Sequence, residues 1–126
     1  ACNVVDCLVF DGTLEFQTQV SNGAAVKQIV ATSARMTNDG NFSASAANGC
    51  VFNGQLAKSA NASLYMTINL WSGPVQVSNC ASSVFNGSHN MTVVYDPSKK
   101  TLSPILSKFI LSTYTVISVS GDLKGQ

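Results

Sequence analysis

The sequence predicts an all-β fold, an antiparallel β-sandwich or small β-barrel of about seven to nine short strands with disulfides. Three observations carry that prediction. Apolar and polar residues alternate with period two through much of the chain. The alternating runs are cut at short intervals by Asn-Gly, Asp-Gly and Asp-Pro steps. Only 10% of residues are charged, while Ser, Thr and Asn together exceed a quarter. Sandwich and barrel share this pattern, so both stay open. The 126 residues suit one domain with one core, spanning residues 1–126.

The first clear strand covers residues 13–20, where Leu14, Phe16 and Val20 alternate with Glu15, Gln17 and Gln19 and leave one face wet. Ser21-Asn22-Gly23 supplies a turn, because Asn and Gly accept positive φ at little cost. Residues 25–36 are a second extended segment of less regular pattern, the one place where a short helix would also fit, and Asn38-Asp39-Gly40 ends it. Phe42, Ala44 and Ala46 then alternate into Asn48-Gly49, and Cys50, Phe52 and Leu56 alternate out of it, which predicts a hairpin with a two-residue connection. In residues 64–71, Leu64, Met66, Ile68 and Leu70 face one way and Tyr65, Thr67, Asn69 and Trp71 the other, until Ser72-Gly73-Pro74 breaks the strand. Val75 and Val77 lead to Cys80, and residues 81–90 read as a polar loop. A β-branched strand over residues 91–95 turns at Asp96-Pro97-Ser98-Lys99-Lys100 into residues 101–106, since Asp before Pro favours a type I turn. Residues 114–119 form the last strand, and the nine glycines read as dispersed at turns.

Seven basic and six acidic residues leave a net charge of +1, scattered apart from Lys99-Lys100. Nucleic acid and anionic membrane surfaces both need a concentrated basic face, so neither is an expected partner. No apolar run reaches the roughly eighteen residues of a membrane span. The chain starts without a basic, apolar leader, and export implies that one has been removed. Cys2, Cys7, Cys50 and Cys80 lack the close paired spacings of a zinc site, and a single histidine cannot complete one, so disulfides are the better reading. Three pairings can be drawn. Cys2 with Cys7 and Cys50 with Cys80 is favoured because each closes a local loop between neighbouring extended segments.

Candidates for chemistry are few. His89, the only histidine, sits in Asn86-Gly87-Ser88-His89-Asn90 without an acidic neighbour; a general base needs a nucleophile and an orienting carboxylate, and a solvated loop histidine is the plainer reading. A carboxylate pair for glycoside hydrolysis would have to come from Asp6, Asp11, Glu15, Asp39, Asp96 and Asp122, yet Asp39, Asp96 and Asp122 each lie beside Gly or Pro, where turn formation explains them. Neither Asp11-Gly12 nor Asp39-Gly40 continues into a calcium loop, and neither a nucleophile elbow nor a phosphate loop is present, so no metal or cofactor is expected. Tyr65 and Trp71, on one face of their strand, would offer an aromatic platform for a sugar or a protein if that face is wet; otherwise Trp71 closes the end of the core. Asn41, Asn61, Asn86 and Asn90 head glycosylation sequons, usable only in an organism that glycosylates.

Gly40-Asn41-Phe42, Gly49-Cys50-Val51-Phe52-Asn53-Gly54-Gln55-Leu56, Asn79-Cys80-Ala81 and Tyr95-Asp96-Pro97 share a cadence across residues 40–106. This stretch resembles a group of exported bacterial lipoproteins and related envelope proteins. The resemblance implies a β-rich fold and a Cys50–Cys80 bridge, and it transfers no activity. Ala1-Cys2 is similar to a lipoprotein cleavage site, where an acylated cysteine follows a small residue, but Ala1 is still present, and acylation of Cys2 would leave Cys7 without its partner.

The expected function is therefore a non-enzymatic binding or interaction domain of the bacterial cell envelope or secreted fraction. It would contact protein or glycan through a β face or through residues 81–90, and would meet a membrane only through a lipid anchor at Cys2. Alternatives are a structural, pilin-like subunit that assembles by strand addition with residues 13–20 as the donated strand, and an inhibitor or immunity protein. A small hydrolase ranks last.

Overall fold

A computed structural model describes residues 8–58 and 69–125. The strands in chain order are β1 (Leu8–Val20), β2 (Val26–Met36), β3 (Asn41–Ala46), β4 (Val51–Gln55), β5 (Ala57–Lys58), β6 (Asn69–Ser78), β7 (Gly87–Asp96), β8 (Thr101–Ile110) and β9 (Thr115–Gly125). All pairings are antiparallel, in the order β4-β3-β2-β1-β9-β8-β7-β6, and a further β4–β6 pairing closes the sheet into an eight-stranded barrel. β5 is the extra strand; it carries the β4 register on along β6, with Ala57 opposite Ser72 and Lys58 opposite Trp71. The open choice between sandwich and barrel thus resolves to a barrel.

Alternation decides which side chains fill it. On β1, Phe10, Leu14 and Phe16 point inward, and the register brings them against Ala34 and Val30 of β2 and Val119 of β9. A barrel of eight strands is just wide enough for its own side chains. Here Phe16 meets Phe85 edge-on with centroids 5.3 Å apart, and Phe10 meets Tyr95 at 5.8 Å. Most outward positions of β1 and β9, such as Gln17, Gln19, Ser118 and Ser120, are polar. Apolar inside and polar outside is the reverse of a membrane-spanning barrel.

Several expectations are corrected. Residues 25–36 contain no helix: Val26–Met36 is a strand throughout. Its pattern looks irregular because Thr32 faces inward, where its hydroxyl donates to the Val30 carbonyl at 3.0 Å, while Ile29 faces outward at 71% exposure. The loop expected over residues 81–90 holds a 3-10 turn at Ser83–Phe85 and then joins β7 at Gly87. The last strand is longer than expected, and Tyr114 belongs to the turn before it, with left-handed φ of 49°. The Asn48-Gly49 connection is a turn from Ala46 to a left-handed Gly49, whose N–H donates to the Ala46 carbonyl, rather than a two-residue loop.

Nor do the glycines all lie at turns. Gly12 and Gly121 face each other's strands on the β1–β9 side, and Gly54 and Gly73 do so on the β4–β6 side, which the strand order places diametrically opposite. A Cβ on Gly121 would lie 2.5 Å from the Thr13 carbonyl oxygen, and one on Gly54 2.5 Å from that of Pro74. Backbones come this close only where strands coil sharply, so these glycines mark two corners of the barrel.

Candidate binding surface

The barrel has two rims. One gathers the β2–β3 and β7–β8 turns, together with Leu8, Lys58 and Asn69. The other gathers the β1–β2, β3–β4 and β8–β9 turns and the β6–β7 connection. The second rim is stapled by the Cys50–Cys80 disulfide, as expected, beside the β4–β6 seam. Around it the Cys80 N–H donates to Asn86 Oδ1, the Ala81 N–H to the Asn48 carbonyl and Asn79 Nδ2 to the Gly49 carbonyl. Cys2, Cys7, Tyr65 and Asn61 lie outside the described residues.

His89 is not a solvated loop residue. It faces into the barrel from β7 at 5% exposure, opposite Val75, and its Nε2 lies 2.9 Å from the Phe85 carbonyl. A carbonyl only accepts, so Nε2 carries the proton and the enclosed Nδ1 is left without a hydrogen-bond partner among the described residues. Burial lowers its pKa below the usual 6.5, with the nearby Lys108 ammonium acting the same way and the Phe85 carbonyl opposing both. This histidine pins Phe85 over the end of the core, and among the described residues no carboxylate is hydrogen-bonded to it.

Trp71 is half-buried against the core, opposite Val93, with its Nε1 enclosed and without an acceptor among the described residues. It closes the end of the core instead of forming a platform. The acids are spread: Asp39 and Asp96 sit in turns, where Asp96 Oδ1 accepts from the Ser98 N–H and hydroxyl, and Asp11, Glu15 and Asp122 point outward at separate heights. Among the described residues no three His, Cys, Asp or Glu side chains converge. Asn41, Asn86 and Asn90 are exposed, and Asn86 Oδ1 is engaged by the Cys80 N–H. On the outer face of β2, β3 and β4, Ser33, Arg35, Ser43, Ser45 and Asn53 line a shallow polar groove without an aromatic side chain for a sugar ring to stack on, apart from the buried Phe52.

The feature that alternation alone does not reveal is a sheet rising above the second rim. β3 pairs with β2 only from Thr32 to Met36, and β7 pairs with β8 only from Met91 to Leu106, so residues 26–30 and 107–110 are held on one side only. Together with the ends of β1 and β9 they form a four-stranded extension, β2-β1-β9-β8, with two open edges. The Ser21 N–H donates to the Tyr114 carbonyl and ties its two hairpin tips together. On it are most of the large exposed apolar side chains among the described residues: Val20, Val26 and Ile29, then Phe109, Leu111, Tyr114 and Val116, with Leu111 at 69% and Tyr114 at 60%. Phe109 stands directly opposite Val116 on the outer face. The sequence signal was present in Phe109-Ile110-Leu111, three consecutive apolar residues at which period two fails. Compared with known proteins, the chain matches no family model, no curated relative and no solved structure.

Proposed function

We propose that this chain is a non-enzymatic binding domain of the cell envelope or secreted fraction, and that it contacts its partner through the projecting four-stranded extension. The observation that carries the reading is the clustering of Val20, Val26, Phe109, Leu111, Tyr114 and Val116 on two hydrogen-bonded hairpins beyond a filled barrel. Single exposed apolar residues need no explanation, but a contiguous group on an exposed tip keeps a solvation cost that a partner removes. The low charge, the disulfide and the envelope-like cadence of residues 40–106 support an exported setting.

The same geometry bears on strand addition. Residues 13–18 are paired on both sides, to β2 and to β9, and residues 19–20 to β9, which counts against donating this strand. The edges at residues 26–30 and 107–110 are open, and each carries a lysine, Lys27 or Lys108, of the kind that discourages edge pairing. The test is retention from envelope extract on immobilised protein. Wild type is expected to hold a specific component that the Leu111→Asp, Tyr114→Ser double variant releases. Equal retention by both would sink the assignment of the surface.

A further inference from the structure

We propose that the partner of the projecting extension is an anionic lipid surface, into which the β1–β2 and β8–β9 tips dip while the barrel stays in water. This rests on the contact surface assigned above and names what covers it. Beyond Glu15, which stands opposite Ile29 at its foot, the extension contains no acid, and its other charges are Lys27 and Lys108. The remaining described acids lie elsewhere: Asp39 and Asp96 in turns of the opposite rim, and Asp11 and Asp122 on the half of the barrel toward it. The fold therefore sets most of the acids, along with most of the other basic residues, away from the tips.

The order of residues along the tips fits an interface. The outermost positions are neutral: Ala24 and Ala25 in one turn, Leu111, Ser112, Thr113 and Tyr114 in the other, all exposed. No ionised group would have to leave water when they enter the headgroup region. Tyr114 carries an apolar ring with a polar end, the type of side chain that settles at a membrane–water boundary. Lys27 and Lys108 stand further down the strands, Lys27 on the outer face opposite Gln17 and Lys108 on the inner face opposite Ile117, so one ammonium on each side of the sheet would meet lipid phosphates. The polar outer face of the barrel fixes the mode: the protein lies on the bilayer by its tips and does not cross it.

The experiment is co-sedimentation of the intact chain with vesicles of phosphatidylcholine alone and of equal parts phosphatidylcholine and phosphatidylglycerol. Wild type is expected to partition onto the mixed vesicles at least about tenfold more strongly than onto the neutral ones, and Leu111→Asp is expected to abolish binding to both. The Lys27→Gln, Lys108→Gln double variant should lose about 30-fold on mixed vesicles and little on neutral ones. A Leu111→Trp variant should blue-shift its emission on mixed vesicles, reporting insertion at the tip. All three substituted side chains are exposed, and circular dichroism would verify that each variant is folded. Failure of wild type to bind either vesicle, or binding that Leu111→Asp leaves intact, overturns the lipid proposal. If wild type ignores vesicles but the tip variants still lose the component retained from envelope extract, the contact surface stands and its partner is a protein. A wild-type dimer on size exclusion that Leu111→Asp dissolves would instead assign the surface to a second copy.

Discussion

His89 shows how one buried side chain couples the rim to pH. Its Nε2–H is committed to the Phe85 carbonyl, and among the described residues the second nitrogen has no acceptor waiting should it gain a proton. Burial, then the Lys108 ammonium, hold the pKa below 6.5, so the native protein keeps the ring neutral where the unfolded chain would charge it. Over that interval the unfolded state binds more protons, and stability falls as the pH drops below 6.5, levelling off beneath the native pKa. Urea unfolding midpoints taken from about pH 7.5 to about pH 5 should therefore decline, and His89→Gln should flatten the decline while costing about 1–2 kcal/mol at neutral pH. A decline that survives in the variant would assign it to another group. Asp96 works in the opposite sense: the Ser98 hydroxyl, then the turn amides and Lys99, hold its carboxyl below the ordinary value, so its support of the β7–β8 turn is lost only on strong acidification.

Strands, unlike single residues, are shaped here by what sits at their bends. Gly121 on β9 lies where the Thr13 carbonyl leaves no room for a Cβ, so Gly121→Ala should force the β1–β9 ladder apart and cost about 2–3 kcal/mol. The outward-facing Ser118→Ala on the same strand should stay within about 0.5 kcal/mol. Equal effects in urea melts would remove the corner from Gly121. The contrast also explains what could be read from the sequence. Period two in residues 13–20, 42–46 and 75–77 announced strands because each has one face in the core and one in water. Gly12 and Gly121 looked like turn residues because a glycine required by a close approach has the same letter as one required by positive φ. His89 and Thr32 were unreadable as core residues, since their burial depends on acceptors, the Phe85 and Val30 carbonyls, that only the fold brings near. Pairing ranges are a property of three strands at once, so the extension above the rim was invisible before β3 and β7 were known to stop short of its edges.

As a whole, the molecule is a coiled sheet whose closure is uneven. The β1–β9 ladder runs from Phe10 and Gly125 to Val20 and Thr115, while the β4–β6 seam that completes the barrel runs only from Val51 and Ser78 to Gly54 and Val75 before β5 extends it. The Cys50–Cys80 bridge sits at the end of that short seam and joins residues 30 apart in sequence. Loop closure over that separation is worth about 3.5 kcal/mol, a large share of the roughly 5–15 kcal/mol that holds a domain folded. Removing the bridge with Cys50→Ala and Cys80→Ala should accordingly lower stability by about 3–4 kcal/mol. The loss should also have a place. Amide exchange is expected to quicken first in β4, β5 and β6, where few ladder bonds remain once the staple is gone, while β1, β2 and β9 keep their protection. The hairpin tips of the extension belong to that protected group, so tip-dependent binding should outlast the opening of the seam. If exchange instead rises uniformly across all strands, the barrel opens as one unit and the seam is not its weak line.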